Sequence, residues 1–470
     1  MDTPRRPVNI RVPHAAMEGN VWPALPSERG RYVLAILYQL EQTQWWPAEV
    51  LRTHQFRQLK SLVAHAWQAA PFHRGRLEAA GITPPFDALE ENWLKLPPLG
   101  RRDIQDAGTA IHSSAVPKDH GSISDIHTSG STGKPIRALR TSLALRFWSA
   151  FTSREHLWHG RDTSGKLAVI RNSAPGRDLY PGGSRHKYWG SSRRAFDTGP
   201  CVSLNINSSA AEQVDWLRRQ DPDYLLTHPT NLFRILRQSA EEGYRPGKLK
   251  DIQTLSEILR PELRQLCREL WGVPIKDNYS GREVGYIALQ CPDHEHYHVQ
   301  AEGALVEVVD EDGNLCGPGQ VGRVLVTPIH NFAMPFLRYE VGDYAEVGGP
   351  CACGRGLPVL NRIIGREQNM LSLPTGEKRW TLLSEGGIRK LLKLAPIREY
   401  QFVQKTMDAM EIRLVVGRQL TAEEEAAVKG WALEKFDHPF DFSFAYMDEL
   451  PRGRTGKLQD FISEVDQGEG

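Results

Sequence analysis

The 470-residue sequence predicts an α/β protein. A large N-terminal domain with parallel sheets, crossover helices and a small barrel-like β part should precede a small, mobile α+β C-terminal domain. Three observations predict it. Between about residues 205 and 285 short apolar strand patterns alternate with helical ones, as parallel strands joined by crossover helices require. From 297 to 350 the pattern turns to period-two strands separated by Gly and Pro turns, which reads as antiparallel. Beyond Gly365-Arg366 it becomes a small mixed unit, so the domains are drawn as 1–366 and 367–470.

In chain order, residues 30 to 70 read as helix, with Phe56, Leu59, Leu62 and Val63 recurring at helical spacing as core. Leu96-Pro97-Pro98-Leu99 is a rigid extended connection, because each proline fixes φ and pushes its predecessor out of the α region. Ser209 followed by Glu212 is a capping box opening a helix through Gln220. Asp221-Pro222 ends it before the strand Tyr224-Leu225-Leu226-Thr227. A helix over 231–241, a strand at Ile252-Gln253-Thr254-Leu255, a helix over 261–271 and a strand over 274–279 complete the alternation. Leu305-Val306-Glu307-Val308-Val309 and Arg323-Val324-Leu325-Val326-Thr327 are the alternating strands of the next segment. In the C-terminal domain, strands near 400–404 and 410–416 precede a helix opened by Thr421, with Glu424 in capping-box spacing.

Composition narrows the function classes. Lys and Arg total 58 against 57 Asp and Glu, a formal net charge of +1, with no dense basic run. That disfavours a nucleic-acid or other polyanion surface and favours small-molecule chemistry. The arginines near the start are broken up by Pro4, Pro7 and Pro13, so no signal peptide is expected, and the apolar stretch 32–38 is too short to span a bilayer. Six cysteines in so long a chain are too few for a disulfide framework, so a soluble, cytoplasmic protein is expected.

The chemistry-bearing segment is Thr128-Ser129-Gly130-Ser131-Thr132-Gly133-Lys134-Pro135. Glycines let backbone amides converge on phosphate oxygens, hydroxyls add donors, and Lys134 adds positive charge. It is not a P-loop, which needs glycine at the Thr128 position and Ser or Thr after the lysine. Pro135 makes a lid a better reading than a cradle opening a helix; a plain Ser/Gly linker is the duller alternative. Two predicted parallel strands end in Ser256-Glu257 and in Tyr279-Ser280-Gly281-Arg282-Glu283, where α/β sheets gather ligands. Tyr279 offers a face for a base and Glu283 a carboxylate for a hard cation. Leu337-Arg338-Tyr339-Glu340-Val341-Gly342-Asp343 ends in an acid suited to the two hydroxyls of a ribose. Leu450-Pro451-Arg452-Gly453-Arg454-Thr455-Gly456-Lys457 carries a lysine on a glycine-bearing loop.

In that order the set resembles the adenylate-forming superfamily of acyl-CoA synthetases, adenylation domains and luciferases, and within it the phenylacetate-CoA ligase branch. The nearer likeness rests on Leu96-Pro97-Pro98-Leu99, on Asn331 with the segment from Pro335 to Asp343, and on Cys351-Ala352-Cys353-Gly354-Arg355. It covers roughly residues 90 to 460. The resemblance implies that ATP and a carboxylic acid give an acyl-adenylate and pyrophosphate, after which a thiol or amine displaces AMP. It implies that the loop from Thr128 to Lys134 holds the β- and γ-phosphates, that Glu283 ligates Mg²⁺, and that Tyr279 packs on adenine. Asp343 would bind the ribose, Arg366 would assist near the nucleotide, and Lys457 would reach the α-phosphate and carboxylate. Ser256, Glu257, Ser280 and Arg282 complete the nucleotide set. Coenzyme A is the first-choice acceptor; an amide- or ester-forming ligase and a non-catalytic nucleotide-binding scaffold are the alternatives. Two positions depart from the superfamily pattern: Arg282 stands where Ser or Thr is usual, and Gln368 where Asp or Lys follows the hinge arginine.

Cys291, Cys351, Cys353 and one histidine, His298 in preference to His296, offer donors for a structural tetrahedral zinc, some relatives in the branch having such a site. Reduced cysteines beside surface histidines are the alternative. Cys201, Cys267 and Cys316 read as ordinary. For the acid, Tyr188, Trp189, His228 and Pro229 line a pocket or belong to the core, and an aromatic acid is a mild preference inherited from the resemblance.

Overall fold

The computed structural model describes residues 13, 15–20, 22–127, 136–366, 370–380, 385–451 and 460–465. One 12-stranded sheet runs through the larger part of the chain. Across it lie Ala304–Val309, Val321–Pro328, Tyr339–Val347, Val359–Arg366, Tyr297–Val299, Gly285–Gln290, Ile275–Gly281, Asp251–Leu255, Tyr224–Thr227, Leu167–Arg171, Cys201–Asn205 and Ser184–His186. The strands from Ile275–Gly281 to Cys201–Asn205 pair in parallel. The expected barrel-like part is realised as the antiparallel half of this same sheet, because Gly285–Gln290 folds straight back on Ile275–Gly281.

The crossover helices begin where their sequence signals place them. Ala210–Gln220 has both halves of its capping box, Ser209 Oγ accepting from Glu212 N at 3.3 Å and Glu212 Oε2 accepting from Ser209 N at 2.8 Å. It stops at Asp221, whose left-handed φ of 42° ends the helical path before Pro222. Pro229–Glu241 starts two residues earlier than the sequence suggested, with Pro229 in the first turn where its missing N–H costs nothing. Pro261–Trp271 follows as expected. The N-terminal helical region is two helices, Glu28–Thr43 and Ala48–Ala69, interrupted before Pro47. Leu59, Leu62 and Val63 of the second are fully buried with Trp93, Leu96 and Leu337. The extended Leu99 bridges Tyr339 through Leu99 N to Arg338 O at 2.8 Å and Glu340 N to Leu99 O at 3.0 Å.

The chain divides into two units, one of residues 1–258 and 270–364, the other of 259–269 and 365–470. In the second, Asp441–Tyr446, Ala409–Val416, Ile397–Gln404 and Phe461–Ser463 form a four-stranded sheet in that order. Ala422–Phe436 is capped by Thr421 and Glu424 and supplies Trp431 and Phe436 to a core with Phe402, Ile412 and Leu414. No helix among the described residues is long and apolar enough to cross a membrane.

Candidate active site

Glu283 sits on the turn between Ile275–Gly281 and Gly285–Gln290, where Gly281 faces Gly285. Gly285 takes a φ of 90°, a conformation that lets the chain reverse within three residues. The pairing slips between Tyr279 and Ser280, and such irregularities re-aim side chains beside sites. Tyr279 Oη donates to Asp343 Oδ2 at 2.8 Å, joining two residues 64 apart in sequence. The proposed adenine platform and ribose acid are therefore neighbours.

At the next strand end, Ser256 holds a φ of 69°. A non-glycine residue there is strained by about 1–3 kcal/mol, a cost that concentrates at functional sites. Glu257 has a definite local task. Its Oε2 accepts from Thr230 N at 2.9 Å and Thr230 Oγ1 at 2.8 Å, so its carboxylate caps the helix Pro229–Glu241, whose own N-cap His228 has no side-chain cap bond.

A pocket opens beside Glu283, between the helix Ser142–Trp158 and the strand Gly285–Gln290. Phe147, Trp148, Phe151 and Tyr286 line it with His330, and Arg140 and Glu283 stand on its wall. The Phe147 ring stacks on His330 with centroids 3.7 Å apart, and His330 Nε2 bonds Glu302 O at 2.8 Å. Burial pushes the His330 imidazole down to about 4. Phe151 also packs so closely on Gly303 that a Cβ there would lie 2.6 Å from the ring. Sequence reasoning missed this wall. Its signal was present: Phe147, Trp148 and Phe151 fall on one capped helix just after the phosphate segment.

Trp189, by contrast, belongs to the core. It is buried against Cys201 and Tyr224, donates Nε1 to Gly165 O at 3.0 Å, and meets His156 edge-on. His228 lies buried with Nδ1 on Leu255 O at 3.1 Å, and Pro229 starts its helix.

The cysteine and histidine segments converge as a donor cluster. One donor atom each from Cys291, His296, His298 and Cys351 lie within 4.8 Å of one another. His296 Nε2 stands 3.1 Å from Cys351 Sγ, and the Cys291 and Cys351 sulfurs are 3.9 Å apart. That group holds two thiols and two imidazoles. His296 joins His298 instead of competing with it, and Cys353 Sγ lies outside that four, 3.4 Å from His298 Nε2. A hairpin explains this: Tyr297–Val299 pairs with both Gly285–Gln290 and Val359–Arg366, which brings the two loops together.

Arg366 ends the strand Val359–Arg366. Thr128, Ser129, Gly130, Ser131, Thr132, Gly133, Lys134, Pro135, Gln368 and Lys457 lie outside the described residues.

Residues 377–464 match the CapK C-terminal domain. Over 414 residues the chain is 26% identical to phenylacetate-coenzyme A ligase of Thermus thermophilus, covering 86% of this chain and 89% of that one. It is 24% identical to the Pseudomonas putida enzyme of the same name, over 78% and 82% of the two chains. Over most of its length the chain is thus similar in sequence to phenylacetate-coenzyme A ligases. Its fold agrees with a solved 2-hydroxyisobutyryl-CoA ligase in the postadenylation state, at a TM-score of 0.69 and 18% identity, over 90% of this chain and 92% of that one. The aromatic pocket beside Glu283 and the Tyr279–Asp343 pair lie in the unit that carries the parallel sheet.

Proposed function

We propose that the chain is an AMP-forming acid–coenzyme A ligase, converting a carboxylic acid and ATP to an acyl-adenylate and pyrophosphate and then passing the acyl group to coenzyme A. The observation that carries this is the match to phenylacetate-coenzyme A ligases over most of both chains. The bonded pair of Tyr279 and Asp343, beside a pocket wall that includes Glu283, supports it. In this reading Tyr279 faces adenine, Asp343 takes the ribose hydroxyls, and the segment Thr128 to Lys134 grips the β- and γ-phosphates. Ser256, Ser280 and Arg282 border the nucleotide, Glu257 holds the neighbouring helix, and Arg366 and Lys457 act from the C-terminal side of the chain. Glu283 is half-buried, is in no ion pair among the described residues and presents a hard oxygen donor, so it fits a Mg²⁺ ion. That ion would supply neutralisation of triphosphate charge. The residues themselves orient the acid carboxylate and the α-phosphate, whose mutual repulsion is the main electrostatic obstacle to their reaction.

Pyrophosphate exchange over a panel of carboxylic acids tests the first half-reaction, and acyl-CoA formation with AMP release tests the second. Exchange with no acid, despite ATP binding, would return the scaffold reading. Exchange without thioester formation would move the acceptor to an amine, a hydroxyl or a carrier protein.

The two-thiol, two-imidazole cluster fits a tetrahedral zinc ion, and four protein donors leave no open position for catalysis. Its role is then to staple the loop at 291–298 to that at 351–353. Metal analysis should find about one zinc per chain, and chelation should lower the unfolding temperature in a way that added zinc restores. Metal-free protein with unchanged melting in chelator sinks the staple.

A further inference from the structure

The Asp277 carboxylate is shared by hydroxyls from two other strands. Thr254 Oγ1 donates to its Oδ1 at 2.6 Å and Tyr297 Oη to its Oδ2 at 2.7 Å, and all three residues are buried. Its backbone N–H goes to a side chain as well, Gln290 Oε1 at 2.9 Å. These contacts stand directly behind the proposed nucleotide residues. Asp277 and Tyr279 lie two apart on Ile275–Gly281, so they share a face of the sheet. Thr254 lies two residues before Ser256, whose φ is 69°. The parallel pairing with Asp251–Leu255 ends at Asn278, and the antiparallel pairing with Gly285–Gln290 slips just past Tyr279. Tyr279, and through it the bond to Asp343, therefore takes its position from the strand just behind it. The same carboxylate reaches the donor cluster. Tyr297 stands between the donors His296 and His298 and packs in the same apolar cluster as Tyr279, and Gln290 directly precedes the donor Cys291.

We infer that Asp277 is a positioning residue for the nucleotide and that Tyr297 ties it to the four-donor cluster, so that a metal ion held there strengthens nucleotide binding. The inference rests on the adenylating reading of the site and on the zinc reading of the cluster. The route is short. Holding Cys291, His296 and His298 in place also holds the residues next to them, Gln290 and Tyr297, and these two grip Asp277. When the loop at 291–298 loosens, a buried carboxylate oxygen loses a hydroxyl donor, a loss that is costly where water cannot replace it. The strand end that carries Tyr279 then loses its support. Coupling between two binding sites is reciprocal, so the nucleotide strengthens metal binding by the same factor, about 5- to 10-fold for a tie of one or two hydrogen bonds.

The test is titration calorimetry of AMP into the full chain, zinc-loaded and after removal of metal by a chelator. AMP replaces ATP because it carries adenine and ribose without the triphosphate that would itself sequester zinc. Zinc-loaded protein should bind AMP about 5- to 10-fold more tightly than metal-free protein. Tyr297→Phe keeps the ring and removes the hydroxyl, and should retain at most about a twofold difference between the two forms. Asp277→Asn should raise KM for ATP in pyrophosphate exchange about tenfold, with kcat altered less than about twofold. Wild-type AMP affinity that ignores zinc overturns the inference and leaves the adenylating reading standing, whereas no AMP binding in either form overturns both. A chain that takes up no zinc overturns the inference together with the staple. A full zinc effect retained in Tyr297→Phe overturns it as well, and an unchanged KM for ATP in Asp277→Asn removes the positioning role. Where either variant melts well below the wild type, the reciprocal measurement on the wild type decides. Competition with a zinc-binding dye should show zinc held about 5- to 10-fold more tightly at saturating AMP. Equal zinc affinity with and without AMP overturns the inference.

Discussion

Two sets of arginines in the large unit face opposite physical situations. Arg154, Arg161 and Arg338 have side chains no more than 2% exposed, and each meets a carboxylate: Glu302 at 2.8 Å, Glu155 at 2.7 Å with Asp251 at 3.0 Å, and Glu307 at 3.1 Å. Arg140, on the wall of the aromatic pocket, and Arg282, whose backbone oxygen accepts from it, are in no ion pair among the described residues. The interior set is neutralised within the chain, so its charges hold segments together. Arg161, for example, ties the helix Ser142–Trp158 through Glu155 to the strand Asp251–Leu255 through Asp251. The second set ties no segments together by ion pairs among the described residues.

The largest way to test this contrast is to break an interior pair. Arg161→Ala leaves Glu155 and Asp251 buried without their cation and should destabilise the protein by about 3–5 kcal/mol in denaturant unfolding. A loss below 1 kcal/mol would remove the distinction between the two sets. A smaller effect concerns the neutral imidazole that shares the cleft. The folded-state pKa of His330 is depressed to about 4 from 6.5. Between those values the unfolded chain takes up a proton that the folded chain refuses, so stability is intact above pH 6.5 and falls as pH drops towards 4. His330 should account for about 1–2 kcal/mol of the loss at pH 5, and His330→Asn should flatten that part of the urea-midpoint profile; an unchanged slope contradicts the assignment. The smallest effect has the opposite sign to the first. Arg140→Gln removes a repelling cation from the unliganded cleft and should leave stability unchanged or raise it by up to about 1 kcal/mol. A loss comparable to that of Arg161→Ala would show Arg140 to be a structural arginine.

Much of the framework was legible in the sequence because its signals are local. The capping pairs Ser209 with Glu212 and Thr421 with Glu424 act over three residues, and both appear at the helix starts they announced. The strand ends at Ser256 and Tyr279 followed from short apolar runs between helical patterns. What escaped depended on partners distant in sequence. Whether Trp189 lines a pocket or belongs to the core was open in the sequence, and Tyr224 and His156, which pack on it, decide for the core. Nothing in the sequence announced that the Glu257 carboxylate accepts from Thr230, 27 residues earlier.

By itself the sequence determined the alternation of strands and helices, the motif order that marks the superfamily, and the residue types available for chemistry, since periodicity, capping and turn preference act within a few residues. Only the tertiary structure decided which of those residues meet. Sheet register sets Tyr279 against Asp343, hairpin pairing makes a four-donor cluster of Cys291, His296, His298 and Cys351, and Arg140 meets the backbone of Arg282 across 142 residues of sequence. Charges compensate through space rather than along the chain, so whether an arginine is paired is a property of the fold.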